Sequence, residues 1–185
     1  MVQLADITID PTPLSLLSAP LDWFVAEHQR HRRVCHLLTD VAGMREFDGP
    51  LIAALAAYIR HDLTLHILDE ELDFFPLLRR RARADEQIDE ALGRLAAEHS
   101  LDASGAQTVL AHLEACLEAR AAPGATPGAR KALQDFAQDE LRHLALENAV
   151  VLPLARLRLT PADLRKLAHK LAARRGLKLE GKAVA

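Results

Sequence analysis

The chain has 185 residues, of which 50% are hydrophobic and 26% charged, and its formal net charge is −3. This balance suits one compact domain with a hydrophobic core and excludes wholesale disorder. The negative net charge also argues against a dedicated nucleic-acid-binding protein. Aromatic residues make up only 4% of the chain, and the abundance of Ala and Leu over strand-favouring residues predicts an all-α protein.

The cysteines, the first residues and the apolar runs together predict the cellular location of the chain. Cys35 and Cys116 lie 81 residues apart and form no paired-cysteine motif, so neither a disulfide framework nor a cysteine metal site is predicted. The first residues include Asp6 and Asp10 and do not resemble a signal peptide. The longest apolar run, residues 51–59, is too short to cross a bilayer. We therefore expect a cytoplasmic protein that uses no membrane partner.

Local start and stop signals divide the chain into five predicted helices. Pro20 is expected near the start of the first helix, and Asp48-Gly49-Pro50 opens the second. A loop rich in Pro and Gly at residues 122–128 separates the third helix from the fourth. Thr160 and Asp163 form a pattern like a capping box at the start of the fifth. The predicted helices cover about 20–41, 48–82, 85–121, 129–157 and 160–175.

Four long helices with short connections predict an antiparallel up-and-down four-helix bundle over residues 20–157. Leu and Ala residues spaced three and four apart supply its core. The fifth helix, within residues 158–178, is expected to be an appendage with a basic face. The whole chain, 1–185, is expected to form a single domain.

An internal repeat carries the residues with metal-binding chemistry. The pattern Asp-x3-His-x3-Glu-x5-Pro-Leu occurs twice, displaced by 77 residues. Its two copies are Asp62, His66, Glu70, Pro76 and Leu77, and Asp139, His143, Glu147, Pro153 and Leu154. A shorter match, Ala-Glu-His, precedes each copy at residues 26–28 and 97–99. We interpret the two halves as a duplicated pair of helices.

The spacing of the repeat predicts a metal site inside the bundle. Four-residue spacing places His66 and Glu70 on one helix face, and likewise His143 and Glu147. Distances from the connecting loops place the repeated histidines at about one level, with the poorest agreement between His99 and His143, where the loop absorbs part of the difference. Such groups are costly in an apolar interior without cations, and imidazole with carboxylate favours iron or manganese. Each of two ions can take two histidines while the carboxylates bridge them. The predicted ligands are His28, His66, Glu70, His99, His143 and Glu147.

These residues resemble the bacterial hemerythrin-like domains, from residue 20 to about residue 157. The most specific segments are His66-Ile-Leu-Asp-Glu70-Glu71 followed by Phe74-Phe75-Pro76, and His143-Leu-Ala-Leu-Glu147 followed by Val151-Leu152-Pro153. The resemblance implies a non-heme di-iron centre with an oxo or hydroxo bridge, in which the four histidines are terminal ligands and both glutamates are bridges.

One departure from the family pattern bears on function. Oxygen-carrying members place a second histidine four residues after the ligand of the third helix, where this chain has Ala103. Members with the reduced set resemble proteins that respond to iron, oxygen or nitric oxide. We therefore expect a module that binds or senses oxygen, nitric oxide, peroxide or the cellular iron and redox state. A di-iron enzyme that reduces peroxide or nitric oxide, an iron storage or delivery protein, and a metal-free bundle are the alternatives.

Several neighbours of the predicted ligands are ambiguous in the sequence alone. His31 competes with His28, although the Ala-Glu-His match favours His28. Asp62 and Asp139 lie one turn before the metal histidines and either orient their imidazoles or lie at the rim of the bundle. Glu71 follows Glu70 directly and is expected to point away from it, towards the surface.

Overall fold

The computed structural model describes residues 8–179, without the side chains of residues 101 and 102. Over this range the chain is helical with no strand, and the prediction of an all-α bundle with an extra C-terminal helix is confirmed. Four of the main helices are α1 (Pro20–Gly43), α2 (Gly49–Arg81), α3 (Ile88–Ala119) and α5 (Pro161–Arg174). The remaining main helix, α4, is continuous through three consecutive segments, Ala129–Leu146, Glu147–Val151 and Leu152–Arg158. Short 3₁₀ turns cover Leu14–Ser18, Ala84–Glu86 and Pro123–Ala125.

The helix boundaries follow the predicted signals closely, with one shift. Asp48 caps α2, because its carboxylate accepts a hydrogen bond of 3.0 Å from the backbone N–H of Leu51. Helix α3 begins three residues later than the predicted Asp85. Gln87 has a left-handed backbone, with φ at 50°, and this separates the preceding 3₁₀ turn from the helix.

Helix α5 carries the predicted capping box. The Thr160 hydroxyl accepts from the backbone N–H of Asp163 at 3.2 Å, and the Asp163 carboxylate accepts from the backbone N–H of Thr160 at 3.1 Å. At the other end, Gly176 has φ at 70°, and paired backbone hydrogen bonds from Gly176 and Leu177 close the last turn.

Segments of wider, π-helical winding interrupt α2 and α4, and the sequence did not predict them. They span Tyr58–Leu63, Glu70–Phe74 and Glu147–Val151. The second and third segments begin at the glutamates of the repeat, and they end two residues before Pro76 and Pro153. There the Phe75 N–H bonds to the Glu70 carbonyl, and the Leu152 N–H bonds to the Glu147 carbonyl. A proline inside an α-helix collides with the carbonyl four residues earlier, and the wider winding accommodates it.

Two apolar clusters fill the bundle, one towards each end. One cluster contains Val34, Leu55, Leu113 and Leu133 from the four helices. The other contains Phe24, Phe74, Leu92 and Leu152, together with buried residues of α5. A layer of buried polar side chains lies between them, and it contains the residues of the repeat.

Helix α5 packs on the bundle through apolar residues and through basic residues at its C-terminal end. Leu167 and Leu171 are buried in the second apolar cluster. Arg174 pairs with Asp69 and Asp73 of α2, and Arg175 reaches Asp69 at 2.7 Å. Asp69 is completely buried beside Glu70, so these pairs attach α5 to the part of α2 that carries a predicted metal ligand.

Among the described helices, α2 is long and apolar enough to cross a membrane by length and composition alone. Its most apolar 18-residue window is 44% buried inside the bundle. Core helices of globular proteins meet the same criterion, so this finding is weak evidence of a span.

Candidate metal centre

Six buried side chains from the four bundle helices meet in the polar layer. They are His28 on α1, His66 and Glu70 on α2, His99 on α3, and His143 and Glu147 on α4. None is more than 7% exposed. The structure therefore brings together every residue that the sequence predicted as a ligand.

The ligand atoms form two overlapping groups of four, and within each group all of them lie within 4.8 Å of one another. One group contains His28, His66, Glu70 and Glu147, and the other contains His99, His143, Glu70 and Glu147. Both glutamates belong to both groups, so each group could hold a cation and the two candidate positions would share these carboxylates.

The distances show how closely the imidazoles surround the glutamates. The Nε2 atoms of His28 and His66 lie 3.4 and 3.5 Å from Oε1 of Glu70. His99 Nε2 lies 3.5 Å from the other oxygen of Glu70. On the α4 side, His143 Nε2 lies 3.2 Å from a carboxylate oxygen of Glu147. Each Glu70 oxygen therefore faces a different histidine group, as a bridging carboxylate requires.

Burial and close charges shift the pKa values of the cluster in opposite directions. Burial favours the neutral acid of Glu70, but the close imidazoles of His28 and His99 outweigh it and lower its pKa to about 2. Burial likewise disfavours the charged form of His143, but Glu147 outweighs it and raises the pKa to about 9. His66 has a pKa well below its ordinary value because of burial and the nearby His28. Without cations, protons on some imidazoles balance the carboxylates.

Several oxygen and nitrogen atoms of the cluster have no hydrogen-bond partner. They include Glu70 Oε2, both carboxylate oxygens of Glu147 and His143 Nε2. Unpaired buried lone pairs are costly, and cations at the two positions would satisfy them. The donor set of imidazole and carboxylate, without thiolate, fits iron or manganese.

Comparison with known proteins agrees with this geometry. The sequence profile described as the hemerythrin HHE cation-binding domain matches residues 19–155. The chain belongs to this family. No match was found among the curated proteins compared with it. The protein is thus a metal-binding hemerythrin-like protein, and the expected resemblance is confirmed.

Three histidines of the hemerythrin-like centre are held by a second layer of side chains. Nδ1 of His99 lies 2.6 Å from Glu71, and Nδ1 of His143 lies 3.1 Å from Glu98. Each histidine can donate its ring N–H to that carboxylate, which fixes the ring orientation and leaves Nε2 free for a cation.

On α4 as well, the residue directly after the glutamate of the repeat supports a histidine of a neighbouring helix. Nδ1 of His28 lies 3.3 Å from Oδ1 of Asn148, which can accept its N–H. Asn148 follows Glu147 as Glu71 follows Glu70, so corresponding positions in the two copies support histidines on neighbouring helices. Nδ1 of His66 is buried and has no such partner.

The role expected for Glu71 was wrong. Its carboxylate is partly buried and contacts His99, because the flank of α2 next to Glu70 faces α3 rather than solvent. Asp62 and Asp139 instead lie at the rim of the bundle. They pair with Arg30 and Arg142 respectively, and within the part of the chain that the structure describes neither is hydrogen-bonded to a histidine.

The structure also separates His28 from His31. His28 belongs to the six-residue cluster, whereas Nε2 of His31 lies 3.0 Å from Oε2 of Glu140, one turn away from the ligands. Sequence reasoning assigned Glu140 no role. Its position three residues before His143 was the available signal, because that spacing places both residues on one helix face.

The second layer can be tested by removing Glu71. We expect Glu71→Ala to weaken metal binding about 10- to 100-fold, because His99 loses the partner that orients its ring. Competition with a chromophoric chelator measures the affinity. Asp62→Ala is a suitable control, since it removes another carboxylate of α2, one that pairs with Arg30 and not with a histidine. Equal affinities for the two variants would show that Glu71 does not support the centre.

Proposed function

We propose that the protein binds two iron ions, held by His28 and His66 at one position and His99 and His143 at the other. Glu70 and Glu147 bridge the ions, together with an oxo or hydroxo group. The observation that carries this proposal is the sharing of both glutamates by two groups of four ligand atoms. A single-ion site would need only one such group.

We further propose that the di-iron centre binds or senses a small ligand, namely oxygen, nitric oxide or peroxide, or reports the cellular iron and redox state. Two histidines and two shared carboxylates leave coordination positions open on each ion. Ala103, one turn after His99, supplies no further ligand. The proposal places the protein in the cytoplasm, without nucleic acid or membrane as a partner.

Reduction of peroxide or nitric oxide at the same centre is the second candidate function. The buried pair of His31 and Glu140 favours it, because the pair adds hydrogen-bonding groups that the ligand set itself does not need. Iron storage or delivery is the remaining candidate.

The experiment that tests the proposal uses the purified protein loaded with iron. The diferrous protein is exposed without air to nitric oxide, and the diferric protein to hydrogen peroxide, while the absorption spectrum is recorded. A ligand-binding or sensing role predicts a spectral change with each probe and slow steady-state turnover. Sustained turnover with an added reductant would favour the enzyme instead. Iron release without any spectral response would contradict both and favour storage or delivery.

A further inference from the structure

The metal layer lies between two chemically different layers of the bundle. Towards the α5 end, Phe24 stacks on Phe74 with ring centroids 4.5 Å apart, and its centroid lies 6.2 Å from that of His66. Towards the opposite end lie His31 and Glu140. One side of the metal layer is therefore closed by aromatic rings, whereas the other offers polar groups.

His31 and Glu140 are placed close to the ligands. His31 follows His28 by three residues on α1, and Glu140 precedes His143 by three residues on α4. Since α1 and α4 run in opposite directions, both residues lie one turn from the metal layer on the same side. The ring centroid of His31 is 6.0 Å from that of His66, so the pair borders the candidate cation positions.

The pair retains unused hydrogen-bonding capacity. His31 and Glu140 are each 2% exposed, and they contact one another through Nε2 and Oε2. Nδ1 of His31 and Oε1 of Glu140 are buried and have no partner. Such atoms are costly in an interior, and replacing a buried pair by apolar side chains is often neutral or stabilising. Stability therefore does not account for the pair.

The fold does not require a charged residue at the position of Glu140. The 77-residue displacement of the repeat relates Glu140 on α4 to Leu63 on α2, which is buried and apolar. The corresponding position in the other half of the bundle is thus filled by ordinary core packing. Glu140 therefore distinguishes one half of the bundle from the other at this level.

We propose that an exogenous ligand of the centre binds on the side of His31 and Glu140 and is hydrogen-bonded by this pair. A ligand with a polar, hydrogen-bonding end, of which hydroperoxide is the natural class, is therefore favoured over an apolar diatomic molecule. The inference rests on the proposed di-iron function and specifies the ligand class and binding side of the same site.

The test compares azide, a polar probe of the diferric centre, with nitric oxide, a diatomic probe of the diferrous centre. The double variant His31→Leu/Glu140→Leu replaces the pair by apolar side chains of similar volume. Glu140→Gln is a milder second variant. Asp139→Asn is the matched control, because it changes a neighbouring carboxylate that pairs at the surface with Arg142. Absorption titrations give both affinities, and iron content and thermal unfolding are measured for each variant, including the metal-free forms.

We expect the double variant to keep its iron and its metal-free stability, and to bind azide about tenfold more weakly, as the loss of one good hydrogen bond requires. The nitric oxide affinity of the double variant should change less than threefold. Both affinities of the Asp139→Asn control should also change less than threefold. Unchanged azide affinity in the double variant and Glu140→Gln, or equal losses for azide and nitric oxide, would overturn the inference. Iron loss confined to the double variant would make the pair part of the metal site and also overturn it. A wild-type protein without iron would instead refute the proposed function.

Discussion

The Glu147→Ala variant is expected to lose both metal ions together, because its carboxylate belongs to both groups of ligand atoms. An ion that binds only the folded protein, present at 100 to 1,000 times its Kd, adds about 3 to 4 kcal/mol of stability. For a chain of this size, the loss lowers the Tm of the metal-loaded protein by roughly 10 °C or more. Iron analysis and thermal unfolding, with and without metal, measure the two effects.

His28→Ala is the informative comparison for Glu147→Ala. His28 belongs to only one of the two groups, so this variant should retain the ion held by His99 and His143. Without metal, Glu147→Ala still loses the contact with His143, whose pKa the Glu147 carboxylate raises, so the metal-free variant and wild type are compared to separate this loss from that of the metals. Loss of one ion from Glu147→Ala, with the other retained at full affinity, would show that Glu147 is not a bridge.

The double variant Arg174→Ala/Arg175→Ala is expected to destabilise the protein by about 3 to 5 kcal/mol, the usual effect of leaving a buried charge without its partners. Asp69 is fully buried, and both arginines pair with it. Burial raises the pKa of Asp69 even with the arginines present, which shows how costly its charge is. The expected Tm decrease is roughly 10 °C or more, measured by circular dichroism.

Two further variants separate the buried charge from simple loss of packing. Adding Asp69→Asn to the arginine double variant should restore part of the lost stability, because the uncompensated charge is then removed. Lys170→Ala should have a small effect, since Lys170 is 60% exposed where it pairs with Asp73. An arginine double variant as stable as the wild type would mean that α5 is not attached through Asp69.

The main architecture could be predicted because its signals are local. Pro20, Asp48 and Thr160 mark helix starts by their own backbone chemistry, and the structure places helices there. The ligand set was equally accessible, since a four-residue spacing places His66 and Glu70 on one face. The repeat then indicated which other residues belong with them, and the structure brings these six side chains together.

The supporting residues could not be predicted because they depend on which helices are neighbours. Glu71 is adjacent to Glu70 in sequence and was expected to face solvent. Its contact with His99 exists because α3 packs against that flank of α2. The pair of His31 and Glu140 similarly requires α1 to lie beside α4.

The π-helical segments and the position of α5 were missed for a related reason. Pro76 and Pro153 mark places where a regular helix is strained, but sequence alone does not show whether the helix kinks, ends or widens. Helix α5 was predicted only as an appendage with a basic face, and the pairing of Arg174 with Asp69, 105 residues earlier in the chain, was not predicted. Such long-range ion pairs leave no local pattern.

The metal content of freshly purified protein tests the central claim most directly. Elemental analysis with an absorption spectrum should give about two iron ions per chain, one for each candidate position, and an oxo-bridge band near the ultraviolet edge. A folded, helical protein that contains no metal and takes up none when incubated with ferrous iron would contradict the account.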